Sequence, residues 1–402
     1  AMNIDNVVNF PFPTPPSNES LLAAEKRLLL LGALKVSESN NVSKQKKTSR
    51  VTDIGKAMSF FPLNPRYSKM IVLSANQGLL CYTVALVSAL TVQEIFLNLP
   101  NESEKFDKRK SLRHKWNEVG NSLLLGDFML LLKAVGCSTF VKFSEKLIEA
   151  YGLRYKAMIE IKKLRQQLTS TVTKIFATKD IPSSLDMDPP SDSQCKFLRQ
   201  IALSALLDHV AKKVDTEDLP NNQRQTCYKF IKKSMNLQTN VVAIEKEWLP
   251  IYAADLCTFS KPLESPTPRF DAASDKMLCY VTATYGPFGW SIPATEVEFP
   301  EGVEKYRWFA KCFLEGTVFN VLLQYKSALL SSPSVMVKSW AKLQPRTESL
   351  LSALYSKKCA SRKRFLEILH DYDLYLLEEY CEWIPPRFTD RVRNTWKNMF
   401  LD

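Results

Sequence analysis

The chain has 402 residues, of which 45% are hydrophobic and 24% are charged. This balance is typical of folded protein with roughly two to four domains, and it excludes a disordered chain. Lys and Arg total 54 against 42 acidic residues, so the formal net charge is +12, which favours a polyanionic partner. The longest nearly apolar stretch, residues 79–92, is too short to cross a bilayer, and we expect no membrane partner.

The N-terminal part of the chain predicts a small helical domain with a β-wing. Ser17 is a candidate N-cap for a helix that ends at Gly32, because apolar residues recur on one face between them. Residues 36–51 have no helical period and hold a basic, Ser- and Asn-rich insertion, as expected for a wing loop. Thr52 and Asn64 then predict the starts of two further helices, the second with proline at its first position. This order of elements predicts a winged-helix domain.

Helical periodicity continues from about residue 100 to residue 176, where apolar side chains recur at three- and four-residue steps and predict a helical bundle. Residues 181–194 are rich in Pro, Ser and Asp and predict a loop, which a helix over 195–214 follows. Runs of β-branched and aromatic residues predict strands over 241–244 and 278–285. Beyond these strands the pattern is helical again, over residues 306–314, 319–330, 333–343, 347–354 and 365–370.

Residue patterns for metal binding and for nucleotide hydrolysis are missing. The nine cysteines are widely spaced, no Cys-x-x-Cys pair occurs, and there are three histidines. This favours reduced thiols in a cytosolic or nuclear protein and predicts no metal site. The phosphate-binding motif Gly-x-x-x-x-Gly-Lys-Ser/Thr is absent, since Gly55-Lys56 is followed by Ala57, and no Asp-Glu-Ala-His occurs. We therefore predict no catalytic residue and no cofactor here, and no ATP hydrolysis by this chain alone.

Four short segments resemble, in order, the block that follows the two motor lobes of DEAH-box RNA helicases. They are residues 9–16 (Asn-Phe-Pro-Phe-Pro-Thr-Pro-Pro), 31–34 (Leu-Gly-Ala-Leu), 52–58 (Thr-Asp-Ile-Gly-Lys-Ala-Met) and 61–66 (Phe-Pro-Leu-Asn-Pro-Arg). Gly126-Asp127-Phe128 and residues 164–168 resemble the family's ratchet-like helical domain. In such helicases this domain and an OB-fold close over the RNA strand that leaves the motor lobes. The resemblance therefore implies a gate on single-stranded RNA, with ATP and Mg²⁺ bound in motor lobes that this chain lacks.

The resemblance also implies a fold class and a domain division. We expect a mainly α chain with small β parts, divided into a winged-helix domain (1–98), a ratchet-like helical domain (99–180), the remainder of the ratchet helix with an incomplete OB-fold (181–259) and a C-terminal α+β extension (260–402) of strands followed by helices. The OB-fold is expected to be incomplete because the family's His-Pro-Ser-Ser strand region has no counterpart before residue 241.

The tail carries a narrower resemblance, to the nucleolar DEAH-box helicases of small-subunit ribosome assembly (Dhr-type). It depends on residues 289–293, 298–302, 343–351 and 379–383. It implies an ATP-dependent RNA helicase of the nucleus and nucleolus that acts in pre-ribosomal RNA processing. Its substrates would be duplexes between box C/D small nucleolar RNA and pre-ribosomal RNA. Family analogy further implies a protein activator from the small-subunit assembly machinery.

Candidate RNA-binding residues lie in two basic segments, 105–115 and 154–165. A channel for a moving RNA strand needs cations on rigid helices rather than readers of base edges. The chosen residues are Lys108, Arg109, Arg113, Arg154, Lys156 and Arg165. The alternative for each is a solvated charge or an internal ion pair, as Glu160 would provide for Lys156. Arg66 is predicted to contact a motor lobe or to cap a helix.

Acidic and aromatic residues cluster near the end of the chain. We predict that Glu379, Tyr380 and Trp383 bind a protein partner there. Two functions stay open from the sequence. One is a grip on single-stranded RNA that is coupled to the motor lobes in cis. The other is a protein-interaction platform formed by residues 260–402, in which RNA contact is incidental.

Overall fold

The computed structural model describes residues 7, 10–37, 48–97, 116, 121–176, 187–213, 228–230, 234–235, 241–338 and 344–400. The chain divides into two compact units. The first unit comprises residues 1–257 and 286–288, and the second comprises residues 258–285 and 289–402. The predicted fold class, mainly α with small antiparallel sheets, is confirmed. The division into four domains stays a prediction.

The N-terminal part of the first unit has the elements of the predicted winged helix. They are α1 (Asn18–Leu30), β1 (Leu34–Ser37), β2 (Thr48–Val51), α2 (Asp53–Met58) and α3 (Pro65–Ser74). The three predicted N-caps are confirmed: Ser17, Thr52 and Asn64 each accept a hydrogen bond from a backbone amide in the first turn of the helix that follows. The two strands pair antiparallel and form the wing. Gly55 allows α2 to pack closely, because a Cβ there would lie 2.1 Å from the Ala33 carbonyl oxygen.

A helical core follows the winged helix in the first unit. Its helices are α4 (Leu80–Thr91), α5 (Asn121–Leu124), α6 (Asp127–Phe140), α7 (Glu145–Ala150), α8 (Tyr155–Phe176) and α9 (Asp192–Ala205). Helix α8, of 22 residues, packs one apolar face against α4 and α6. Met70 and Ile71 of α3 belong to the same buried cluster, so the winged helix and the bundle share a core. This shared core leaves the opposite face of α8 to solvent.

The predicted helix over 195–214 is wrong at its C-terminal end, since α9 ends at Ala205. The turn that follows is tied to α3 by an ion pair between Arg66 and Asp208, and it leads into a short strand. That strand is the first of an antiparallel three-stranded sheet, β3 (Ala211–Lys213), β4 (Tyr228–Phe230) and β5 (Ser234–Met235). A one-turn helix, α10, spans Leu249–Tyr252.

Residues 241–245 do not form the predicted strand, because their hydrogen bonds go to the turn between α5 and α6. The Val241 carbonyl accepts from the Asp127 amide at 3.0 Å, and the Val241 amide donates to the Asp127 carboxylate at 2.5 Å. Gly126 has a φ of +56°, and a Cβ there would lie 2.3 Å from the Val241 oxygen. Arg199 of α9 donates to another carbonyl of the segment at 2.8 Å. We call these contacts the 241–245 clamp.

The second unit begins with a four-stranded antiparallel sheet and continues as helices. Its elements are β6 (Cys257–Phe259), β7 (Arg269–Asp271), β8 (Lys276–Tyr285), β9 (Trp290–Glu298), α11 (Val303–Leu314), α12 (Pro345–Ser356), α13 (Arg362–Asp371), α14 (Leu377–Cys381) and α15 (Pro386–Thr395). Strand β8 lies at the centre of the sheet and pairs with β9 over nearly its whole length. The predicted strand over 278–285 and the helices over 306–314, 347–354 and 365–370 are confirmed.

Two predicted α-helices of the second unit are 3₁₀ helices instead, over Asn320–Ala328 and Pro333–Val337. In the first of them, Leu322 and Tyr325 are buried three residues apart, which suits the tighter 3₁₀ turn. Aromatic rings and aliphatic side chains fill the core of this unit, where Phe313, Phe365 and Trp396 are almost fully buried. This aromatic core fixes α12 to α15 against α11.

Candidate nucleic-acid interface

One face of α8 carries a row of exposed polar side chains, which we call the α8 stripe. The row consists of Lys156, Glu160, Lys163, Gln167, Ser170 and Lys174. The positions recur at alternating four- and three-residue steps, so they stay within a narrow sector of a 3.6-residue helix. The apolar positions of α8 fall in the opposite sector and are buried. The sequence therefore places the stripe on the outer face because it places the core residues on the inner one.

The chemistry of the α8 stripe suits a polyanion without sequence selection. It offers three ammonium groups, one amide and one hydroxyl against a single carboxylate, along about 27 Å of helix. Within the described residues, the three lysines form no ion pair. Lysine ammonium groups attract phosphates as point charges and read no base edges. A long helix also keeps the charges at fixed spacing.

The predicted RNA-binding residues differ in their exposure and in their partners. Lys156 is exposed in the α8 stripe, and no ion pair joins it to Glu160 in the described part of the chain. Arg154 is half exposed, and its guanidinium pairs with the Glu94 carboxylate. Arg165 is only 5% exposed and lies on the inner face of α8. Lys108, Arg109 and Arg113 lie outside the described residues. RNA binding by these residues stays a prediction.

Sequence reasoning missed two lysines of the α8 stripe, Lys163 and Lys174. Both follow Lys156 at helical steps, seven and eighteen residues later, and the apolar residues between them mark the opposite face. That periodicity is sufficient to find them. Choosing cations by their density along the chain favours Arg165 instead, although its neighbours Ile161 and Leu168 already indicate the inner face.

Arg66 lies at the start of α3 and is 8% exposed. Its Nη2 donates to the Asp208 carboxylate at 2.8 Å, while its Nη1 is buried and forms no hydrogen bond among the described residues. Burial by itself raises the pKa of the Asp208 carboxyl, but the Arg66 guanidinium outweighs this and leaves that pKa below its usual value. The pair ties the winged helix to the turn after α9. Contact between Arg66 and a motor lobe stays a prediction.

The predicted partner-binding cluster of the tail lies mainly in the core. Tyr380 and Trp383 are 0% and 1% exposed, and the Tyr380 ring packs 5.3 Å from that of Trp396. Glu379 is half buried beside them. Leu377 and Tyr380 lie three residues apart on one face of α14, which explains their burial, and Trp383 follows just after the helix ends at Cys381. A partner at this site would meet the surrounding carboxylates rather than the rings, and partner binding stays a prediction.

Two other classes of site, for a metal ion and for a membrane, have no representative in the parts of the chain that the structure describes. Across these ranges, no three His, Cys, Asp or Glu side chains converge as metal ligands would. Among the helices of the same ranges, none combines the length and apolar character of a membrane span.

Family models match three parts of the chain. The winged-helix part of the helicase-associated domain (HA2) matches residues 24–63, and the ratchet-like part of that domain matches residues 64–131. The DEAH helicase DHX37 C-terminal domain matches residues 321–400. The α8 stripe thus lies beyond the matched part of the ratchet-like domain.

Three relatives are RNA helicases by name. Probable ATP-dependent RNA helicase DHX37 of Homo sapiens is 39% identical over 98% of this chain and 38% of its own length. Probable ATP-dependent RNA helicase kurz of Drosophila melanogaster is 35% identical, over 94% of this chain and 35% of its own length. Probable ATP-dependent RNA helicase DHR1 of Saccharomyces cerevisiae is 33% identical, over 54% of this chain and 19% of its own length. The chain spans well under half the length of these relatives. By these matches the chain carries C-terminal domains of the DEAH-box RNA helicase family: both parts of the helicase-associated domain and the DHX37 C-terminal domain.

Proposed function

We propose that this chain is the RNA-handling region of an ATP-dependent RNA helicase and that the α8 stripe grips the backbone of single-stranded RNA. The observation that carries the proposal is the row of three lysines on one rigid helix, none of them paired within the described residues. Phosphate contacts of this kind hold a strand and let it slide, because they do not depend on base identity. Glu160 lies within the row and weakens the grip locally by repulsion.

The chemistry of the whole protein follows from the same proposal. Motor lobes beyond this chain would bind ATP and Mg²⁺ and hydrolyse the nucleotide, while residues 1–259 would hold the strand as winged-helix domain, ratchet-like domain and incomplete OB-fold. Residues 260–402 would form the subgroup-specific extension. Limited proteolysis followed by mass spectrometry would test this division, and cuts that fall mainly inside α8 or β8 rather than near the proposed boundaries would contradict it.

An RNA-binding measurement tests the grip. We expect the triple variant K156A/K163A/K174A to bind a labelled oligouridylate more weakly than the unaltered chain does. The slope of the logarithm of the binding constant against the logarithm of the salt concentration should be smaller in magnitude by about 2. Each lysine that neutralises a phosphate accounts for about 0.7 of that slope. The matched control is K26A/K196A/K246A, which removes the same charge from exposed positions elsewhere in the first unit. Equal weakening in the two variants, or an unchanged slope in the first, would remove the α8 stripe as the site.

We further propose that the protein acts in small ribosomal subunit assembly, in the nucleolus, on duplexes between small nucleolar RNA and pre-ribosomal RNA. Support comes from the match of residues 321–400 to the DHX37 C-terminal domain and from the tail segments of Dhr type. Crosslinking the protein to RNA in cells and sequencing the bound fragments would test this. Recovery of messenger RNA without enrichment of pre-ribosomal or small nucleolar RNA would contradict it.

A second candidate function is a protein-interaction platform in the second unit that recruits or responds to an activator. It is favoured by large side chains that are exposed there: Tyr355, Tyr372 and Leu374 are 56%, 58% and 66% exposed. Exposed aromatic and aliphatic residues are typical anchors of protein interfaces. Capture from a nuclease-treated nucleolar extract, compared between the chain and its Y372A/L374A variant, would test it. Partners recovered equally well by both would argue against this surface.

A further inference from the structure

Helix α15 of the second unit and the turn that follows it carry two rows of polar side chains, each with two cations, that differ in their partners. In the first row, Arg393 pairs with Glu378 at 2.6 Å, and Lys397, just after the helix, pairs with Asp373 at 2.7 Å. The second row consists of Arg387, Arg391 and Asn394 at helical steps of four and three residues. All three are exposed. The side chains of Arg393 and Lys397 are also largely accessible, at 50% and 40% of their full exposure, so burial does not account for the difference between the rows.

The second row has no internal counter-charge. Among the described residues, neither Arg387 nor Arg391 has an acidic side chain within ion-pair distance. Asp390 lies between them in sequence, but among the described residues no ion pair joins its carboxylate to either arginine. The Arg387 guanidinium lies over the Phe388 ring, 4.8 Å from its centre, and this cation–π contact favours one orientation of the guanidinium. The fold thus neutralises one row and leaves the other open.

The open row has the chemistry of a phosphate-binding surface. Guanidinium groups present forked donors that match two phosphate oxygens, and an adjacent amide supplies a further donor. Between Arg387 and Thr395 every exposed side chain is polar. A protein interface centred here would lack the aromatic or aliphatic anchors that supply most of the binding energy in such interfaces. Nucleic-acid interfaces, in contrast, are polar and positively charged.

We propose that Arg387, Arg391 and Asn394 form a second binding site for the backbone of single-stranded RNA, within the tail whose sequence predicts protein partners. The inference rests on the proposed function, since it assumes an RNA partner. Arg387 and Arg391 lie one helical turn apart, with about 5–6 Å between their Cβ atoms, so one strand can meet both. The site holds backbone and selects no sequence.

The test uses the 402-residue chain and a labelled oligouridylate, with binding measured at about 50 and about 200 mM salt. The variant R387A/R391A should bind roughly tenfold more weakly at the lower salt, and its salt slope should fall by about 1.4. R387K/R391K keeps the charge but removes the forked guanidinium donors. Its affinity for the oligouridylate should lie between that of R387A/R391A and that of the unaltered chain. Because the replaced side chains are exposed, circular dichroism should show an unchanged fold.

The matched control is R393A/K397A, which removes the same number of cations from the paired row of the same surface. It should change affinity at most about twofold, through the long-range field alone. If R387A/R391A and the control weaken RNA binding equally, the effect comes from net charge alone and the proposed site is wrong. Tighter binding of polyglutamate than of oligouridylate, with the same weakening in R387A/R391A, would identify an acidic-peptide surface and also overturn it.

The outcome also separates this inference from the proposed function. If K156A/K163A/K174A binds more weakly and R387A/R391A does not, the α8 stripe stands and the α15 site is wrong. If R387A/R391A binds more weakly and the α8 variant does not, the tail is the RNA-binding region and the α8 stripe is wrong. If the unaltered chain binds no oligouridylate at either salt concentration, both are wrong.

Discussion

The two compact units differ in how they accommodate a lysine that the fold shields from water. Lys69 of α3 is half buried, and this desolvation lowers its pKa to about 8. No ion pair compensates it among the described residues. Lys305 of α11 is 7% exposed, and its ammonium lies 2.5 Å from Glu301 and 3.4 Å from Glu298. Burial alone would lower the pKa of Lys305, but the two carboxylates raise it above its usual value.

A similar contrast separates the α8 stripe from part of the surface of the second unit. In the second unit, Arg269, Lys276 and Arg364 pair with nearby carboxylates. In the α8 stripe of the first unit, no lysine does so within the described residues. Surface ion pairs add little to stability, so the contrast bears on binding more than on folding. A cation that is already paired has to leave its carboxylate before it meets a phosphate, whereas the lysines of the α8 stripe are ready to bind.

The largest expected effect comes from the internal ion pair that joins α3 to the turn after α9. D208A should lower the free energy of unfolding by about 3–5 kcal/mol, because it leaves the buried Arg66 charge without its partner. Urea unfolding followed by circular dichroism would measure it. The double variant R66M/D208A removes the charge as well and should recover most of this stability. A double variant as unstable as D208A would show that the charge is not the cause.

A smaller effect, of opposite sign, is expected at Lys69. K69M should raise the free energy of unfolding near neutral pH by about 1–2 kcal/mol, since it removes a half-buried charge without a partner. The folded pKa of about 8 lies below the unfolded value. Stability of the unaltered chain should therefore rise with pH from about 8 to about 10.5, while K69M lacks this rise. A constant difference between the two proteins across this range would contradict the assignment.

The second unit should instead lose stability in acid through Glu298. Hydrogen bonding and charge from Lys276, together with Lys305, hold the pKa of the Glu298 carboxyl below its usual value. Its contribution is therefore present above the unfolded pKa, near 4.5, and is lost as the pH falls through the folded value. E298Q should be less stable at neutral pH by under about 1 kcal/mol, since the group is half exposed, and the difference should vanish in acid. A pH-independent difference would point to packing instead.

The smallest expected effect is at Lys56, whose partner Asp53 is fully exposed. K56A should change the free energy of unfolding by no more than about 0.5 kcal/mol in thermal or urea melts. This variant gives the lower limit of the comparison, because ion pairs at the surface of either unit should contribute almost nothing to the free energy of unfolding. A destabilisation of more than about 1 kcal/mol would mean that surface pairs stabilise this protein more than is usual.

Local chemistry makes much of the first unit predictable from sequence. The caps at Ser17, Thr52 and Asn64 depend on neighbouring amides alone, so residue type and position are sufficient. The predicted strand over 241–244 is wrong for the opposite reason. Its β-branched residues carry the right propensity, but the hydrogen-bonding partner is Asp127, more than a hundred residues away. Tertiary contacts of that kind override local preference.

The candidate sites are harder to predict because clustering in sequence is a poor guide to exposure. Arg165 and Tyr380 each lie in a polar neighbourhood of the chain, yet both face inward. In each case the decisive signal is the helical face, set by apolar residues three and four positions away. For Lys163 and Lys174 the same pattern of apolar residues indicates the opposite, outer face of the helix. The pairing that separates the two rows of α15 depends on contacts with α14 and the loop before it, and no sequence pattern reveals it.

The 241–245 clamp has a consequence for which substitutions this protein tolerates. A Cβ at Gly126 would lie 2.3 Å from the Val241 carbonyl oxygen. Any side chain added at Gly126 would therefore displace residues 241–245 and break the hydrogen bonds between Val241 and Asp127. Relatives and engineered variants can accept a side chain at this glycine only if the whole segment moves with it.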